Sequence, residues 1–249
     1  MSTSGATPET VDAGEADSQP AQYPTDKELR SSGVSPHSTL ATVRLVWSFS
    51  GSLETSISVM ASAYNVDVLE PYFQPTAGGG SSWHVISKSS LTHPPMSAIM
   101  ATVDDLEIWE NHSEPDSCNE SEDLRYGDLP DYNPEKDEDP PHLLVCGGTD
   151  RPRNKSGGVL VTASQSGPGF VTVHDYITTV HPWLMRNRDD ILDAMDRRED
   201  LPDPEDMDLV VDAVFPTWLR IREKSEWVNE LSYRRQQFAS IHDLEISAV

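Results

Sequence analysis

The chain has 249 residues, 36% of them hydrophobic, and carries 42 acidic against 18 basic side chains for a net charge of −24. Such a carboxylate excess repels phosphate backbones and anionic lipid headgroups, which bind proteins chiefly through Lys and Arg. Nucleic-acid and membrane binding are therefore set aside, and basic proteins are the partners that the charge favours.

Residues 1–38 are mostly Ser, Thr, Pro, Gly, Ala and acid, with too little apolar surface to offset the entropy of ordering them. They are expected to form a disordered arm ahead of a single domain over 39–246. No apolar h-region occupies the first thirty residues, and no run approaches the ~18 apolar residues of a membrane span. The two cysteines, Cys118 and Cys146, are too sparse for a disulfide scaffold and form no CxxC pair. The expectation is a cytoplasmic or nuclear protein, not a secreted one, so the Asn-x-Ser triplets at Asn111, Asn119 and Asn154 read as chance matches.

Val43, Leu45, Trp47 and Phe49 fall at every second position, Gly51-Ser52 offers a turn, and Thr55, Ile57, Val59 and Ala61 do so again. This pattern predicts a β-hairpin, favoured by its β-branched residues over a helix through Leu53, Ile57, Met60, Ala61 and Tyr64. Residues 74–82 read as a loop, and Trp83–Lys88 and Ala98–Val103 as short strands. Residues 111–141 hold 11 Asp or Glu against Arg125 and Lys136, and read as a solvated acidic insertion.

The runs His142–Cys146 and Val159–Thr162 flank the Gly-rich segment 147–158, suggesting a long-looped hairpin. Val173, Ile177, Val180, Leu184, Ile191 and Met195 then share one helical face. Thr172 is placed to cap that helix, with Asp175 at its third position. Pro182 should kink the helix or split it, because it lacks a backbone donor. Leu209–Val211 and Trp218–Ile221 read as two strands turning at Phe215-Pro216. A last helix from about Ser225 turns Trp227, Leu231 and Phe238 inward. The fold class is α+β: short antiparallel strands and hairpins packed with one long kinked helix and a C-terminal helix.

Three places invite a chemical reading. His174 and His181 lie seven residues apart, with Asp175 beside the first. Zinc-binding histidines on a helix stand one turn apart, whereas seven residues rise about 10 Å, so no metal site and no cofactor are expected. His174, Asp175 and His181, with His84 or His142 brought in by the fold, are weak candidates for acid–base work. His174 also reads as an exposed first-turn residue, and His181 as packed beside Trp183. Cys146 is the only candidate thiol nucleophile, against its reading as an inert core residue, and no G-x-S-x-G elbow occurs. Arg151, Arg153 and Lys155 cluster in the segment 147–158, but its glycine spacing is not that of a phosphate loop. They read as an anion or partner contact, or as a loop whose cations offset nearby acid. A repeated T-V-x-D, at Thr102–Asp105 and Thr172–Asp175, reads as two helix starts sharing one capping solution.

Over residues 83–230 the chain resembles a family of uncharacterised acidic fungal proteins. The resemblance rests on Leu144–Gly148, Phe170–Tyr176 and Val180–Leu184. It implies a fungal source and a shared fold, and carries no activity. The expected function is that of a non-catalytic, acidic interaction or adaptor protein, with the 111–141 tract meeting basic partners. The alternative is a small-molecule enzyme of unfamiliar type built on a His/Asp or Cys centre, tied to a pathway or gene cluster. A buried pocket lined by two of these residues would favour the enzyme.

Overall fold

The computed structural model describes residues 23–76, 80–110, 125–129, 132–135, 139–146, 149–150, 158–199, 201 and 205–247, with the backbone alone at 146, 149–150, 197–199 and 237–247. In chain order the first elements are α1 (Asp26–Ser31), β1 (His37–Ser38), β2 (Leu45–Trp47), α2 (Leu53–Ser56), β3 (Ile57–Ser62), β4 (Asn65–Pro71), β5 (Phe73–Pro75) and β6 (Ser81–Trp83). There follow β7 (Thr92–His93), β8 (Ala98–Val103), α3 (Asp104–Glu110), β9 (Arg125–Gly127), β10 (His142–Cys146), β11 (Thr149–Asp150) and β12 (Val159–Thr162). The last are α4 (Val173–Arg186), α5 (Arg188–Glu199), β13 (Leu209–Asp212), β14 (Trp218–Glu223) and α6 (Lys224–Ser247). The fold is mixed α+β, as the sequence pattern predicts.

The central sheet runs in the order β12-β8-β14-β13. Its pairs are antiparallel except β8 with β14, which are parallel with Trp218 opposite Thr102. One face carries Ile99, Ala101 and Val103 from β8, Val161 from β12, and Leu219 and Ile221 from β14 into the core. In the same core lie Val173, Tyr176, Ile177, Val180 and Leu184 of α4. Both sides obey their periods, alternation in the strands and three- to four-residue spacing in the helix. The Tyr176 hydroxyl, fully buried, donates to the Pro216 carbonyl at 2.6 Å and ties α4 to the turn ahead of β14.

A second sheet, β2-β3-β4, contains the expected hairpin, with Trp47 opposite Ile57. Between its strands the chain turns at Gly51, whose φ of +84° lies in the left-handed region that favours glycine. The four-residue α2 follows, so the helical alternative survives as a single turn. This sheet joins the first where Phe49 N–H donates to the Leu209 carbonyl at 2.8 Å and Ser48 bridges Val210. Trp227 and Leu231 of α6 pack there on Val46, Met60 and Val210.

Several expectations are corrected. Of the arm expected over 1–38, residues 1–22 lie outside the described residues, and 23–38 carry structure: Thr25 and Glu28 form a reciprocal capping box, Leu29 is buried, and β1 pairs with β7. The Thr25–Glu28 box closes the first turn of α1, and Leu29 packs into the core of the domain. His142–Cys146 and Val159–Thr162 do not pair with each other; β10 lies between β9 and β11, and β12 pairs with β8. Within the tract expected as a solvated insertion, Arg125–Gly127 is therefore a strand and Leu129 is buried. Residues 111–124, 130–131 and 136–138 of that tract lie outside the described residues. Val85–Lys88 is a 3₁₀ turn, and only Ser81–Trp83 of that region is strand.

Pro182 does not divide the long helix. The division falls at Asn187, whose side-chain amide donates to the Trp183 carbonyl at 2.7 Å. Burial of Val180, Trp183 and Leu184 on both sides of the proline outweighs its one missing donor. Thr172 is the expected cap, with Asp175 completing a capping box. Thr102 instead lies in β8 and donates from its hydroxyl to the Thr217 carbonyl at 3.0 Å, so the two T-V-x-D segments do not share a capping solution.

Candidate functional site

The first turns of α4 bring His174 and His181 against the β2-β3-β4 sheet and its neighbours, by different means. His181 is 3% exposed. The Trp47 indole Nε1–H donates to His181 Nδ1 at 3.1 Å, and His181 Nε2 lies 3.2 Å from the Gly51 carbonyl. An indole N–H can only donate and a carbonyl can only accept. The imidazole is therefore neutral, with its proton on Nε2, and both ring nitrogens are committed. Burial holds its pKa below the ordinary histidine value, against smaller upward pulls from the Gly51 carbonyl and the Glu54 carboxylate.

His174 is half-buried, not exposed as its first-turn position suggested. Its ring lies 4.8 Å from that of Trp83, and its Nδ1 is 3.3 Å from the Tyr72 hydroxyl. Burial lowers the His174 pKa, and the Asp175 carboxylate opposes that shift. Burial, with the Asp175 carboxylate beside it, raises the Tyr72 phenol well above its ordinary value, so Tyr72 stays protonated. Asp175 Oδ2 accepts from the Thr172 backbone N–H at 3.0 Å and from the Thr172 hydroxyl at 2.7 Å. Its carboxylate is thus committed to capping α4.

The other histidines named from the sequence are buried elsewhere. His84 Nε2 lies 2.7 Å from Glu70 Oε2 while its Nδ1 accepts from Ile86 N–H at 3.3 Å. His142 starts β10, and its ring lies 5.1 Å from that of Tyr132 at an inclination of 58°. Cys146 ends β10, and its side chain lies outside the described residues. Arg151, Arg153 and Lys155 also lie outside them. His174 and His181 have separate partners, Tyr72 and Trp83 for the first, Trp47 and Gly51 for the second.

Two clefts open elsewhere. The smaller, about 240 Å³, lies between α1 and the loop before β14, with Asp26, Arg30 and His37 beside Met96, Ile99 and Phe215. Asp26 and Arg30 pair across its edge at 2.9 Å. The larger, about 450 Å³, lies among α3, α5, β14 and α6. Met195, Leu201, Met207 and Ile221 give it apolar walls. Four carboxylates, Asp104, Asp105, Glu223 and Glu226, face two guanidiniums, Arg220 and Arg222. Arg222 is bound in turn to Glu230 and stands 3.9 Å from Asp212. Neither cleft is lined by His174 or His181. The sequence reading did not single out this larger cleft, because its walls come from four elements and the segment after α5, spread over about half the chain.

No model of a known protein family, no curated protein and no solved structure matches this chain. Among the described residues no group of His, Cys, Asp and Glu could hold a metal ion, and no helix is long and apolar enough to cross a membrane.

Proposed function

We propose that this protein is a non-catalytic interaction or adaptor protein that receives basic segments of partner proteins. The observation that carries the reading is the larger cleft, whose lining combines methionines and aliphatic side chains with four carboxylates against two guanidiniums. Met side chains are flexible and polarizable, and suit surfaces that must fit varied partners. Lys and Arg combine an apolar stem with a cationic head, so their stems match the walls and their heads the rim. The net charge of −24 steers such partners in from a distance, and the 111–141 tract adds to that field. The commitment of His181 and Asp175 to structural hydrogen bonds supports this reading over an acid–base enzyme centred on α4.

The test uses a fluorescent peptide of alternating Lys and Leu, with anisotropy read between roughly 50 and 300 mM salt. Affinity is expected to fall as salt rises. Substituting Glu223→Gln with Glu226→Gln is expected to weaken binding more than the equal charge change Glu135→Gln with Asp139→Asn. Equal losses would reduce the cleft to general charge attraction, and salt-insensitive binding would overturn the electrostatic reading.

A further inference from the structure

His181 is held by two groups that admit one protonation state. Both come from the sheet that contains the first hairpin: Trp47 ends β2, and Gly51 is the left-handed corner after it. The bond between Trp47 and His181 spans 134 residues of sequence and is buried. A proton added to Nδ1 would set one N–H against another and place a cation where water has been removed. The Gly51 contact would survive, because Nε2 remains a donor.

We propose that Trp47, His181 and Gly51 form an acid-released clasp, which holds α4 to the β2-β3-β4 sheet at neutral pH and loosens it in mild acid. The charged groups on the surrounding elements leave this arrangement in place. Glu54 on α2 favours the imidazolium, but its effect is smaller than that of burial. Arg188 of α5 sits over the Phe49 ring at 5.7 Å and donates to the Phe49 carbonyl at 3.4 Å, adding a cation on that side. On α4 itself, Asp175 is engaged in the cap and Arg186 donates to the Pro182 carbonyl. His174 contrasts with His181. Its Nδ1 partner is a hydroxyl, which can rotate to accept as readily as it donates, so protonation there breaks no obligatory bond.

The sign follows from linkage. The folded state binds the His181 proton more weakly than the unfolded chain, whose histidine titrates near 6.5. The clasp's contribution is therefore complete above about pH 6.5 and is lost as pH falls through the folded value. Within that window the ratio of folded to unfolded protein falls by up to about tenfold per pH unit from this one group.

The decisive experiment compares urea unfolding of the full chain with that of His181→Asn between pH 7.5 and 5. Asparagine keeps an acceptor in the place of Nδ1 and does not titrate. The wild-type ratio is expected to fall more steeply with acid than that of the variant. Equal slopes for wild type and His181→Asn would overturn the clasp. Should the asparagine variant not fold, nitrogen-15 spectra of the wild-type imidazole decide. A neutral ring protonated on Nε2 at pH 6.5, whose ionisation in acid shifts the Trp47 indole resonance, is the expected result. A ring charged at pH 6.5, or one protonated on Nδ1, would overturn the proposal.

Discussion

Single side chains in this fold often carry more than one duty. Tyr176 fills the core with its ring and, through its hydroxyl, satisfies the carbonyl of Pro216. Tyr176→Phe should cost on the order of 1–3 kcal/mol, since it leaves a buried acceptor without its donor. Urea denaturation at neutral pH measures this directly, and a loss below a few tenths of a kcal/mol would place water at that carbonyl. Leu184 is fully buried and offers packing alone. Leu184→Ala should cost on the order of 2–5 kcal/mol, the range set by how far its surroundings collapse into the void. The histidines illustrate what periodicity leaves out. Their places on α4 were legible, but their partners Trp47, Tyr72 and Trp83 are set by chain reversals about 90 or more residues away in sequence.

Elements were legible where one local pattern dominates. The capping box and apolar face of α4, the hairpin of β2 and β3, and the pairing of β13 with β14 all follow from neighbouring residues. Pairing across long intervals was not. β12 has a closer sequence neighbour in β10, yet aligns Leu160 with Met100 of β8. Gly158, with φ +68°, enters β12 so near β8 that a Cβ there would lie 2.5 Å from the Ala101 carbonyl. Gly158→Ala is therefore expected to destabilise the sheet edge, with lost hydrogen-exchange protection in β12 preceding any loss in α4. At the other end, α1 is stabilised by its cap, by Leu29 and by the Arg30–Asp26 pair. A chain beginning at residue 23 should melt higher than one beginning at residue 39. Identical melting temperatures would mean that α1 and β1 add nothing to the domain.

The whole molecule combines a strongly acidic exterior with internal ion pairs that fasten its parts. Arg222 on β14 and Arg234 on α6 both engage Glu230, whose carboxyl is held below the usual range chiefly by Arg222. This contribution is present at neutral pH and is lost as pH falls below about 4.5 through the lowered folded value. Glu230→Gln should therefore reduce stability most at neutral pH, and the difference from wild type should shrink towards pH 3. A difference constant over pH 7 to 3 would assign the effect to packing of α6.

The parallel pairing of β8 with β14 also bears on how the protein is made. Residues 98–103 leave the ribosome long before residues 218–223, and Ser38 waits 176 residues for the Val214 carbonyl that its hydroxyl meets. The central sheet cannot close during synthesis of the first two hundred residues. Until β14 emerges, β8 offers Ile99, Ala101 and Val103 without their final cover, and such exposed strands are a hazard for aggregation. A nascent chain stalled near residue 205 should remain sensitive to protease, whereas one stalled far enough past residue 247 to clear the exit tunnel should resist it. Recovery of soluble protein should then depend on chaperone capacity more than on the final stability of the fold.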